Sequence, residues 1–89
     1  MITVNTIDST NFEVIVEGNP TTTHQVSVTH LYYQKLTDNL VPPEVLIETS
    51  FQFLLERESN TSILQRFDLP IIERYFPEYE KTIKKMLKK

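Results

Sequence analysis

Two adjacent prolines, Pro42 and Pro43, stand at the head of an apolar-rich run, Val45 to Leu55, and no other feature restricts the fold as much. Proline's fixed φ suits the first turn of a helix, where its missing N–H has no partner to lose. Glu44 and Glu48 then favour the positive end of the helix dipole. On a wheel advancing about 100° per residue, Phe51, Leu54 and Leu55 fall within about 80° of Ile47, and Leu46 and Phe53 add a flanking stripe. An arc this wide cannot face solvent, because each of those side chains forfeits roughly 1.5–3 kcal/mol by remaining in water. The spacing therefore predicts a central core helix with Glu48, Gln52 and Glu56 on its wet strip.

Such a helix needs a cover, and the residues before it supply a sheet. Ile2, Val4 and Thr6 alternate with Thr3 and Asn5, and Asp8-Ser9-Thr10-Asn11 provides a turn. Phe12, Val14 and Val16 then alternate with Glu13, Ile15 and Glu17, the sharpest period-two pattern in the chain. The chain's single glycine, Gly18, with Asn19 and Pro20, ends that strand, at a place where the turn is expected to need a positive φ. Thr22 to Thr29 returns with Val26 and Val28 inward. Two or three antiparallel strands are marginal alone, so their apolar face is expected to pack on the core helix.

Downstream of the sheet the spacing predicts helices. Thr29 is placed to cap one over His30 to Asn39. Ser59-Asn60-Thr61-Ser62 offers capping groups for a short helix holding Ile63, Leu64 and Phe67, and Asp68 is placed to cap the next, with Pro70 in its first turn. Phe76-Pro77 breaks that helix, and a last one starts near Pro77, with Tyr79, Ile83, Met86 and Leu87 on one arc. The expected fold class is α+β, a two- or three-stranded antiparallel β-meander (1–29) followed by four to five helices packed on a central helix (30–89). With 89 residues this is one domain.

Composition narrows the chemistry. The chain has no cysteine, which removes disulfides, thiolate metal sites and a cysteine nucleophile. One glycine leaves no phosphate-cradling loop. His24 and His30 are too few for a zinc site, and Ser27 near them lacks the sharp turn of an activated nucleophile. Close acid pairs such as Glu56 with Glu58 and Glu78 with Glu80 are expected by chance among twelve acids. No catalytic residue, metal or cofactor is expected. The start, MITVNTIDSTNF, has neither the basic region nor the apolar run of a signal peptide, so the expected location is cytoplasmic, with no membrane span. Asn60-Thr61-Ser62 has the spacing of a glycosylation sequon but reads better as helix capping.

The net charge of −3 hides an asymmetry. Residues 1–80 carry four basic and twelve acidic side chains, whereas 81–89 contribute five lysines and no acid. The body repels phosphate backbones, which weighs against a helix-turn-helix reading of Asn60 to Phe76 with Arg74 on the recognition helix. Ile63-Leu64-Gln65-Arg66-Phe67 is echoed by Ile71-Ile72-Glu73-Arg74-Tyr75, read as two short helices with Arg66 and Arg74 projecting alike.

The segments LIETSFQFLLERE, NTSILQRFDL and IIERYFPEYE resemble a group of small bacterial hypothetical proteins of similar length and no assigned function. The resemblance spans about half the chain and implies a bacterial setting and a single domain; it brings no activity and no site residues.

The aromatic run Phe67, Tyr75, Phe76 and Tyr79, with Arg66 and Arg74, exceeds what a small core covers, and aromatic and Arg residues dominate binding hot spots. The expected function is a non-enzymatic interaction module for a protein partner or a homodimer, self-associating through its C-terminal helices. The alternative is a nucleic-acid-binding regulator using Lys81, Lys84, Lys85 and Lys88.

Overall fold

Asp8 closes the first hairpin. In the computed structural model, which describes residues 1–88, its Oδ1 accepts from the backbone N–H groups of Thr10 and Asn11, both at 2.9 Å. These bonds hold the Asp8 carboxyl below its ordinary range, the bond from the Thr10 backbone foremost. On either side run β1 (Ile2–Thr6) and β2 (Asn11–Val16), antiparallel with Val4 opposite Val14. β3 (Thr22–Ser27) continues the meander, with Phe12 opposite Val26. Phe12, Val14, Val16 and Val26 are buried along one face, while Glu13, Ile15, Gln25 and Ser27 on the other are half-buried.

Gly18 does not take a positive φ. That conformation falls to Asp38 and Asn39, which end α1 (His30–Thr37). Gly18 is needed for space, since a Cβ there would meet Asn60 Nδ2 at 3.1 Å and the Pro20 carbonyl oxygen at 3.2 Å. Asn60 donates to that same carbonyl, so its amide tethers the β2–β3 turn and serves no cap. The cap at Thr29 is present: its Oγ1 accepts from the Tyr32 N–H at 3.2 Å.

α2 (Pro43–Leu55) starts at the proline pair and lies against β1 and α4. Leu46, Ile47, Phe51 and Phe53 are fully enclosed, whereas Leu55 is only half-buried, so the buried arc is centred closer to Phe53 than the wheel placed it. Glu48, Gln52 and Glu56 are exposed.

The largest departure from the sequence reading lies between Asn60 and Leu69. Only Asn60–Ser62 is helical there, as a single 3₁₀ turn, and Arg66–Asp68 forms a fourth strand, β4, parallel to β3. The physical reason is twofold. β3 would otherwise leave its outer N–H and C=O groups bare, and the incoming segment binds them, with Gln25 N–H donating to the Gln65 carbonyl at 2.7 Å and Leu69 N–H to that of Ser27 at 2.8 Å. The segment also alternates, Phe67 and Leu69 buried against exposed Arg66 and Asp68, which suits a strand. Asp68 accordingly caps no helix and accepts a hydrogen bond from the Ser27 hydroxyl. With no first helix, the helix-turn-helix reading falls. The fold is α+β: a four-stranded mixed sheet, β1-β2-β3-β4, with α1, α2, α3 (Ile71–Tyr75) and α4 (Tyr79–Leu87), where a two- or three-stranded antiparallel meander and four to five helices were expected.

Candidate interaction groove

The parallel strand also borders an apolar groove. Where α2 ends, the chain turns away at Glu58, passes the 3₁₀ turn, enters β4 and returns as α3, leaving an open groove of about 270 Å³ between these elements. Leu54, Ile63, Phe67 and Ile72 form its buried floor. Ile71, Phe76 and the exposed side chains of Leu64 and Tyr75, 47% and 65% accessible, form the walls. Glu58 and Ser62 are its polar members. Removal from water pushes the Glu58 carboxyl above its ordinary range, and no cation pairs with it among the described residues.

This geometry sorts the residues singled out in the sequence. Phe67, Tyr75 and Phe76 meet in the groove. Tyr79 does not, being wholly buried with its hydroxyl 2.7 Å from Ser50 Oγ, so it offers nothing to a partner. Arg66 alternates with Phe67 along β4 and therefore emerges on the opposite face of the sheet, while Arg74 is exposed on α3 outside the groove lining. The two arginines do not project alike. Leu54, Glu58, Ile63, Leu64, Ile71 and Ile72 were not singled out as site residues, although the echo of Ile63-Leu64 by Ile71-Ile72 was the signal, since all four line the groove.

The histidines separate. His24 is buried against the Phe51 ring, centroids 5.4 Å apart, and both its nitrogens are engaged. Nδ1–H donates to the Leu64 carbonyl at 2.8 Å, and Nε2 accepts from the Thr22 hydroxyl at 2.9 Å. His30 lies exposed beside Tyr33. Among the described residues no three His, Asp or Glu side chains are grouped to hold a metal. Lys81, Lys84 and Lys85 are exposed on α4, opposite buried Tyr79 and Ile83, and Lys88 is exposed just past its end; Lys89 lies outside the described residues.

A second cluster joins three helices. Glu80 accepts from the Tyr32 hydroxyl at 2.9 Å and pairs with Lys35 at 3.2 Å. A hydrogen bond to Glu80 pushes the Glu73 carboxyl up. Burial raises Glu80, but bonds from Glu73, Tyr32 and Lys35 outweigh it and hold that carboxyl low. The Tyr32 and Lys35 contacts fasten α4 to α1.

These features define an α+β protein whose one-sided sheet carries an apolar groove at its parallel edge. Comparison with protein-family models, curated proteins and solved structures returned no match. Among the described residues no helix is long and apolar enough to cross a membrane.

Proposed function

We propose that the protein is a non-enzymatic interaction module whose groove receives an apolar side chain of a protein partner. The observation that carries this reading is the coincidence of a buried apolar floor with exposed Leu64 and Tyr75 at its mouth. Exposed apolar side chains grouped around a concavity mark binding surfaces more often than scattered ones do. Unpaired Glu58 at the rim adds a preference for a segment carrying a Lys or Arg beside its apolar anchor. Self-association through the C-terminal helices would use the same walls. The test is selection from a displayed peptide library, followed by amide-shift mapping. Enriched peptides should perturb Leu64, Phe67 and Tyr75, and Tyr75→Ala with Leu64→Ser should weaken them by tenfold or more, about 1.4 kcal/mol. Shifts confined to another surface, or no enrichment, would reject the reading.

A second reading is favoured by one observation, the four exposed lysines along α4 and at its C-terminal end, none ion-paired among the described residues. It assigns Lys81, Lys84, Lys85 and Lys88 to a nucleic-acid backbone against the repulsion of the acidic body. A gel-shift titration over salt decides it, because phosphate contacts lose affinity steeply as salt rises.

A further inference from the structure

Among the described residues β1 and β4 are the two edges of the sheet. Glu17 N–H donates to the Met1 carbonyl at one end of the β1–β2 ladder, and Ile7 N–H to the Asn11 carbonyl at the other. These bonds set the parity of the strand. Residues 1, 3, 5 and 7 direct their N–H and C=O groups to β2, and Ile2, Val4 and Thr6 turn theirs outward along the open edge.

Edge strands ordinarily carry protection: shortness, charge, proline or a bulge. β4 at the far edge has two of these, being three residues long with Arg66 and Asp68 flanking Phe67. β1 has none. Its five residues, ITVNT, contain no charge and no proline, and they pair with β2 in unbroken register. Its inward side chains, Ile2 and Val4, touch the core but are only half-buried, so aliphatic surface remains wet along the rim.

We propose that β1 is a self-pairing surface, through which two copies of this chain join edge to edge as one continuous eight-stranded sheet. The strands run antiparallel about a twofold axis at Val4. Val4 then opposes Val4 of the second copy and Ile2 opposes Thr6, all as hydrogen-bonded pairs, so that six bonds satisfy every outward group of both strands. A second copy suits the edge because an uncharged strand opposing itself sets no like charges face to face. The half-buried Ile2 and Val4 side chains cover one another at the axis, and on the outer face Thr3 lies across from Asn5. Two five-residue strands bury less than a standard interface of about 1,600 Å², so the dimer is weak and reversible.

Sedimentation equilibrium of the whole chain from roughly 10 μM to roughly 1 mM tests this. The average mass should climb toward twice the 10.5 kDa of one chain. Val4→Pro deletes an outward N–H without a partner inside the monomer, a place where an edge strand accepts proline. Its mass should stay monomeric throughout while circular dichroism is unchanged. Thr3→Lys with Asn5→Lys sets like charges across the axis and should weaken the dimer about tenfold, whereas Thr3→Glu with Asn5→Lys should restore it, position 5 facing Glu13 of β2 alike in both variants. Both positions are exposed, so these two variants decide the matter even if Val4→Pro fails to fold. A monomer at every concentration, a dimer indifferent to the charge variants, or one dissolved by Tyr75→Ala instead would overturn the proposal.

Discussion

Tyr79 and Ser50 show how a single hydroxyl is accommodated in an apolar core. Ser50 Oγ donates to the Leu46 carbonyl at 2.7 Å within α2, and the Tyr79 hydroxyl completes the chain by donating to Ser50 Oγ. Burial pushes the Tyr79 phenol up, so it remains a neutral donor. Tyr79→Phe leaves Ser50 short of a partner and should cost about 1 kcal/mol in urea unfolding with little change in slope. Glu58 poses the opposite problem, a carboxylate partly shielded from water and unpaired among the described residues. Its folded pKa lies above the ordinary 4.5, so ionised Glu58 disfavours the folded state. That cost is fully present above the folded pKa and vanishes below the unfolded one. Glu58→Gln should therefore raise the melting temperature near neutral pH, and wild type and variant should converge below about pH 4. A difference unchanged between those conditions would contradict the assignment.

Among the elements, α2 is the one whose loss dismantles most. Phe51 touches His24 of β3 and, at 6.1 Å between ring centres, Phe67 of β4, so one ring connects the helix to two strands. Phe51→Ala should cost about 3–5 kcal/mol, measured by chemical denaturation. α2 was legible in the sequence because proline pair, acidic first turn and apolar arc all point the same way, and β2 because its alternation is strict. β4 was not. Its three residues are too few for a period to stand out, and what makes it a strand is the bare edge of β3 some forty positions earlier, which no local pattern contains. The groove shares that fate. Phe67, Tyr75 and Phe76 were visible as an aromatic excess, but whether each faces solvent or core depends on a strand direction set from outside the segment. Tyr79 belonged to the same run but also to the apolar arc of the last helix, and Ser50 gives its hydroxyl an internal partner.

For the molecule as a whole, the order of the strands matters more than their number. The antiparallel meander is local, each strand meeting its neighbour across a turn, while β4 comes from beyond the central helix and lands on β3 from the far half of the chain. The two ends of that landing are marked by His24 Nδ1 on the Leu64 carbonyl and by Leu69 N–H on the Ser27 carbonyl. A chain assembled this way closes one long loop late, because the entropy of bringing distant segments together is lost before their contacts form. The amides of Gln25 and Leu69 thereby become clocks for that closure. In hydrogen exchange they should slow together and release together, apart from the turn amides of Thr10 and Asn11, which report only the first hairpin. Should Gln25 exchange as fast as an open edge, the seam between the two halves would be a hinge and the groove beside it a transient opening.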